Sequence, residues 1–282
     1  MTRRVDVWSP SRVLSYRSCP RQEFLRYRRG ALERSSAVVN VAGEPPRVAT
    51  SLALGTISHA GLEAAYRAAT AMDVHLPNSR MSLFADTAMD AVNAAWDTLG
   101  LPAEGVEGYE LMLAIESEVF DVLSRLPVPP PANIVGVEHA LLVPTPSGRM
   151  EQGTLDLALR TGPDSLHIRD WKRRRLRNLP KSTELARDDA LGFYAFAARR
   201  YWPWARRVSV GLYSTLDNRE VSADCPMPVA AEVVIGHDVL AEIAEGDHER
   251  RPTPDGANCT HCSVRDDCPL WTRLHIATTK PA

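Results

Sequence analysis

The chain has 282 residues, 44% hydrophobic and 24% charged, with 33 Lys and Arg against 35 Asp and Glu. That is an ordinary globular composition, long enough for one large domain or two modest ones. A net charge of −2 excludes a global positive field as the means of holding a polyanion. No apolar run approaches the ~20 residues of a membrane helix, and the basic Met-Thr-Arg-Arg-Val-Asp-Val-Trp start has no apolar segment of the secretory kind. The expectation is a cytoplasmic protein with no membrane partner. In that reducing setting its five cysteines are better ligands than disulfides.

Positive charge is local. Arg3, Arg4, Arg12, Arg17, Arg21, Arg26, Arg28 and Arg29 crowd the first thirty residues, and Lys172-Arg-Arg-Arg175 with Arg177 forms a second cluster. Such patches suit a phosphate backbone, although solvated faces read the same way.

In chain order, Ser9-Pro10-Ser11 signals a helix start, and Pro20 after Cys19 breaks that helix. Residues 35–50, with Gly43 and Pro45-Pro46, read as a loop. A helix opens at Leu54-Gly-Thr-Ile-Ser-His59 and runs to about Ala71; residues 80–98 and 106–126 give two more, ending before Pro127-Val-Pro-Pro-Pro131. The period then changes to strands: Ile134–Val143, Gly153–Leu159, Leu166–Lys172 and Arg207–Tyr213, with a helix over 183–201. Val221 and Glu232–Ile235 are expected as edge strands and 238–246 as a short helix. Helices followed by a small mixed sheet crossed by a helix make an α/β fold.

Asp156 and Asp170 fall on consecutive strands, and Asp170 shares a strand face with Lys172 because side chains at i and i+2 point together. Two carboxylates and an ammonium at one end of a sheet can bind Mg²⁺ or Mn²⁺ and position a water. His59 is a third candidate ligand, or a half-buried helical histidine; Glu138 is a further acidic group for the site, or an edge-strand surface residue. Cys259, Cys262 and Cys268 need a fourth thiolate, and Cys19 or Cys225 can supply it. Cys19 would staple the N-terminal helix to the C-terminus. The spacing admits zinc or an iron–sulfur cluster.

On these residues the chain resembles the PD-(D/E)xK nuclease superfamily in its RecB-like iron–sulfur branch, which includes AddB-type nucleases and CRISPR-associated exonucleases. Ser9–Pro20 resembles the family's first-cysteine helix and Gly55–His59 its histidine motif. Gly153–Asp156 resembles Gly-x-x-Asp, Asp170-Trp171-Lys172 resembles Asp/Glu-x-Lys, and Cys259, Cys262 and Cys268 the cysteine triplet. The resemblance implies a restriction-endonuclease-like mixed-sheet core with an N-terminal helical part and a C-terminal iron–sulfur staple. It assigns 1–130 to the helical part with Cys19 and His59, 131–236 to the nuclease core, and 237–282 to the cluster segment closing onto Cys19.

It further implies a 4Fe-4S cluster on Cys19, Cys259, Cys262 and Cys268, and Mg²⁺ or Mn²⁺ on His59, Asp156, Asp170 and the Trp171 carbonyl. Lys172, Glu138 and Tyr194 join the catalytic group. The implied activity is exonuclease cleavage of single-stranded or end-bearing DNA in recombination, repair, phage or CRISPR-related processing, with a recombination or CRISPR-adaptation protein as partner. The family's usual Gln-x-x-x-Tyr departs here: Tyr194 aligns, but Ala190 stands at the Gln position. A catalytically weak DNA-end-binding adaptor is therefore the alternative, and a zinc-stapled structural protein a lower one.

Overall fold

The computed structural model describes residues 7–28, 51–72, 76–101 and 106–247, together with residues 259, 262, 264 and 267–269. The 35–50 loop, Arg3, Arg4 and Arg29 lie outside the described residues, as does most of 248–282. No described helix is long and apolar enough to cross a membrane.

The centre is a five-stranded mixed sheet in the order β1(Ile134–Pro144)-β2(Met150–Gly162)-β3(Ser165–Lys172)-β4(Arg207–Ser214)-β5(Arg219–Asp224). β1, β2 and β3 form an antiparallel meander; β3 and β4 are parallel, and β5 returns antiparallel to β4. A parallel neighbour needs a crossover, supplied here by the short α6(Ser182–Leu185) and by α7(Asp189–Tyr201). This agrees with the mixed α/β sheet expected of a restriction-endonuclease-like core.

Both faces are covered. On one, α3(Ser51–Thr70), α4(Ala85–Thr98) and α5(Val106–Arg125) pack Ile57, Tyr66, Val92, Trp96 and Ile115 into one core with Leu157, Trp171 and Tyr213 of the sheet. On the other, Phe193 and Phe196 of α7 and Val234 of α8(Met227–Gly246) meet Leu155, Ile168 and Val210. α1(Pro10–Ser18) starts on a Ser9 cap and ends at Cys19, whose extended backbone separates it from α2(Pro20–Glu23). Ahead of α1, Trp8 joins the sheet: its N–H donates to the Met150 carbonyl at 3.0 Å, and the Gln152 N–H donates to its own carbonyl at 2.8 Å.

Four sequence expectations are corrected. Glu232–Ile235 is not an edge strand, and the expected 238–246 helix is the end of one long helix, α8. Its buried positions Ala230, Val234, His237, Ala241 and Ala244 recur at helical spacing, and that stripe outweighs the local β-propensity of Val-Val-Ile. The helix expected over 183–201 is broken at Asp188, whose Oδ1 accepts from the Ala190 and Leu191 N–H groups at 3.0 and 3.1 Å and starts α7 afresh. The 80–98 helix begins as a 3₁₀ turn over Met81–Phe84 before α4.

Candidate active site

The sheet register places the acidic residues. Val137 pairs with Leu157 and His139 with Leu155, so Glu138 and Asp156 stand opposite one another; Leu157 pairs with Arg169, which puts Asp170 across from Asp156. Three carboxylates on three adjacent strands therefore form one row. Glu138 has φ +42°, a left-handed conformation that is costly for a non-glycine residue, between Val137 and His139, whose pairing with β2 stays in register. Gly153 is explained by packing: a Cβ there would lie 2.8 Å from Phe193 Cε1 and 3.0 Å from Tyr194 Cε1, so only glycine lets α7 lie this close to β2.

His59 reaches the row from α3. One ring nitrogen, Nε2, is 2.7 Å from the Trp171 carbonyl, and Nδ1 is 3.5 Å from Asp156 Oδ2. A carbonyl can only accept, so Nε2 carries the proton and Nδ1 presents its lone pair toward Asp156. The Trp171 N–H in turn donates to Asp156 Oδ2 at 2.7 Å. Thus the Trp171 peptide orients both His59 and Asp156. Its carbonyl, expected on the metal, is engaged by the imidazole.

His59, Glu138 and Asp156 offer ligand atoms that all lie within 4.8 Å of one another. Asp170 is buried beside them, but its Oδ2 sits 2.5 Å from Lys172 Nζ. The structure thus brings five of the predicted residues together, with Asp170 engaged by the ammonium.

The electrostatics describe a site short of positive charge. Burial, then the Asp170 carboxylate, raises the Asp156 pKa well above the usual range. Glu138 is pushed up to about 7 by burial and then by Glu63 and Asp170. Burial lowers His59, which favours the neutral ring a metal needs. For Lys172 burial opposes the charge, but Asp170, Asp156 and Asp188 outweigh it and hold the ammonium above its ordinary pKa. Burial and then the Asp170, Asp156 and Glu138 carboxylates raise the Tyr194 phenol, so it stays protonated facing the row. Carboxylates that resist ionisation through desolvation and mutual repulsion are stabilised by a divalent cation. Hard oxygens with one imidazole suit Mg²⁺ or Mn²⁺, so the donor set fits.

Three residues here escaped sequence reasoning. Asp188 caps α7 and acts electrostatically on Lys172 and Tyr194. Glu63 lies one turn beyond His59, held by Arg67 Nε at 2.7 Å; its i+4 spacing from the histidine was the available signal. Glu118 of α5 is a hub: Arg173 Nε donates to it at 2.9 Å, Thr215 Oγ1 at 2.5 Å and Ser58 Oγ at 3.4 Å. It thereby braces the neighbours of both Lys172 and His59.

The arginine clusters are corrected in part. Arg12 pairs with buried Glu23 at 2.8 Å, Arg17 with Asp189 at 2.5 Å, Arg173 with Glu118 and Arg175 with Asp217 at 2.8 Å. These four neutralise the chain's own carboxylates. Arg174 and Arg177 remain exposed.

Cys19, Cys259, Cys262 and Cys268 are half-buried and take part in no disulfide. Burial first, and then the neighbouring thiols of Cys19, Cys268 and Cys259, raises the pKa of Cys262. Cys225 is fully buried, its Sγ directed to the Ala186 carbonyl at 3.6 Å.

A family model described as the PD-(D/E)XK nuclease superfamily matches residues 7–269. No curated protein matches the chain. Among solved structures, that of SSO0001 is similar at 16% identity, covering 74% of this chain and 94% of that one, with a TM-score of 0.34.

Proposed function

The chain belongs to the PD-(D/E)XK nuclease superfamily, and we propose that it is a metal-dependent DNA exonuclease of the RecB-like iron–sulfur branch, acting on single strands or ends. The observation that carries this reading is the row Glu138, Asp156 and Asp170, flanked by His59 and Lys172.

In this reading His59 Nδ1, Glu138 and Asp156 hold Mg²⁺ or Mn²⁺, with Asp170 beside them. Such an ion polarises a phosphoryl oxygen and lowers the pKa of a bound water. The chain's own residues do the rest. The Trp171 peptide fixes the imidazole tautomer and the Asp156 carboxylate, the second-sphere support that metal ligands need. Lys172, kept charged by Asp170, neutralises charge developing on the phosphate and orients the attacking water. Tyr194 supplies a protonated phenol as donor beside the carboxylates. Exposed Arg174 and Arg177 contact phosphates without reading sequence.

The 4Fe-4S assignment rests on the resemblance of the Cys19 helix and of the Cys259, Cys262 and Cys268 triplet to the family's cluster segments, with Cys225 set apart in the core. Anaerobically purified protein should be brown, and Cys19→Ala should lose the colour; colourless folded protein containing zinc would overturn the cluster.

Exonuclease action is tested by comparing linear and covalently closed circular single-stranded DNA with Mn²⁺. Degradation of the linear strand alone, abolished in Asp170→Ala, is expected. Cutting of the circle would identify an endonuclease. A second reading, a DNA-end adaptor, is favoured by Ala190: it packs against the apolar cluster under α7 and offers no amide to DNA. Salt-sensitive binding with no cleavage of either substrate would select it.

A further inference from the structure

The segment joining α7 to β4 carries side chains that the nuclease reading leaves unused. From Arg199 to Arg207 it reads Arg-Arg-Tyr-Trp-Pro-Trp-Ala-Arg-Arg, and no Asp or Glu occurs between Asp189 and Asp217. Its aromatic rings are mounted on the sheet and stay accessible. Tyr201 is 39% exposed, and Trp202 and Trp204 are partly exposed. The Leu142 N–H donates to the Tyr201 hydroxyl at 2.9 Å, and the His139 ring meets Tyr201 edge-on at 5.4 Å and Trp202 at 5.3 Å. Trp202 lies over Gly136, where a Cβ would come within 3.3 Å of its Cη2. These contacts hold the rings in place before any ligand arrives.

Cations surround them. The Arg160 guanidinium lies 4.7 Å above the Trp204 ring, held by the Gly162 and Pro163 carbonyls at 3.2 and 2.9 Å. Arg199 turns inward to the Ala195 and Cys225 carbonyls, and Arg207 pairs with Asp164. Arg200 and Arg206 are exposed, and no carboxylate among the described residues pairs with either.

The corner adjoins the carboxylate row. His139 follows Glu138 on β1. Tyr201 is seven residues beyond Tyr194 on α7, two turns and roughly 10 Å along the same helix face.

We propose that this aromatic–arginine corner is a stacking platform for single-stranded DNA, holding the bases next to the strand end delivered to the carboxylate row. The placement of the strand rests on the nuclease reading; the binding itself does not. Rigid rings and a guanidinium plane give each unpaired base a face to stack on, and the exposed arginines meet the phosphates. A duplex would hide its base faces from them. Pairing with another protein would call for a broader apolar surface than the half-exposed Leu142 supplies here.

The test is fluorescence polarisation of the full chain, without added divalent metal, on end-labelled oligo(dT) and on an abasic strand of the same length. Trp204→Ala and Tyr201→Ala should each weaken oligo(dT) binding about tenfold. Tyr201→Phe, which keeps the stacking ring and loses only the hydroxyl that meets the Leu142 N–H, should recover most of the affinity that Tyr201→Ala loses. Arg200→Glu with Arg206→Glu, surface changes that leave the core intact, should weaken binding and flatten its salt dependence by about 1.4 in log–log slope, two phosphate contacts. The abasic strand should bind wild type weakly and be indifferent to Trp204→Ala. Equal affinity of wild type for both strands would overturn the platform. So would unchanged affinity in the folded variants, or a concentration-dependent dimer that Trp204→Ala dissociates while DNA affinity holds. Loss of affinity in the variants of a protein that never cleaves would keep the platform and remove the nuclease. Normal cleavage with unchanged affinity would do the reverse.

Discussion

Replacing His237 should remove a pH dependence of stability that its surroundings dictate. This histidine, 2% exposed on α8, lies between two carboxylates, with Nδ1 2.7 Å from Glu151 Oε1 and Nε2 3.1 Å from Asp189 Oδ1. Asp189 also takes Arg17, so one network joins α1, β2, α7 and α8. Burial alone would discharge the ring, but the two carboxylates outweigh it and raise the pKa from 6.5 to about 9. A folded-state pKa above the unfolded one means that the stabilisation is complete below pH 6.5 and disappears as pH rises through 9. About 2.5 units at 1.36 kcal/mol each is about 3 kcal/mol, an order-of-magnitude figure for a buried cluster. Urea unfolding of wild type and His237→Gln across pH 6 to 10, roughly the window set by those two pKa values, should give curves that converge as pH rises. Glu151 and Asp189 are bonded to the same ring and lowered by it, so the difference between the two proteins reports the cluster of three groups. Parallel curves across that range would refute a charged His237 in the fold.

Glu118→Ala strands Arg173 and the Thr215 hydroxyl in a half-buried site, and should cost about 3–5 kcal/mol in urea unfolding, with Glu118→Gln costing less; equal, small losses would show that the hub is not a brace. Gly153→Ala drives a methyl into Phe193 and Tyr194 and should cost about 1–3 kcal/mol, read as a lowered Tm; an unchanged Tm would contradict the close approach of α7 to β2. Glu138, with its pKa near 7, must lose a proton to take a metal, so Mn²⁺ affinity by calorimetry should rise with pH up to just above 7 and then level. Glu138→Gln should flatten that rise, and a mutant that keeps it would place the titrating ligand elsewhere.

The strands that carry the site were legible because their apolar alternation and their acidic positions lie within a few residues of one another. Asp156 and Asp170 need only a short turn to stand opposite, and Gly153 marks the approach of α7 from within the same motif. His59 was legible as a residue, but its tautomer depends on the Trp171 carbonyl, a backbone group with no sequence signature. What sequence could not supply was tertiary. Glu118 looks like any polar position on an amphipathic helix until Arg173 and Thr215 arrive from the sheet. The arginine clusters looked free because Glu23, Asp189, Glu118 and Asp217, which neutralise them, lie 11 to 172 residues away. Glu232–Ile235 read as a strand on local propensity, and only the full stripe from Ala230 to Ala244 identifies the helix.

The most direct test of the carboxylate row as a phosphodiesterase site is the time course of end-labelled single-stranded DNA with Mn²⁺, in wild type and in Asp156→Asn. That substitution keeps the shape of the side chain and the acceptor for the Trp171 N–H while removing the charge between His59 and Glu138. The structure predicts metal-dependent shortening of the strand by wild type and none by the folded variant. Cleavage by Asp156→Asn at the wild-type rate would contradict it.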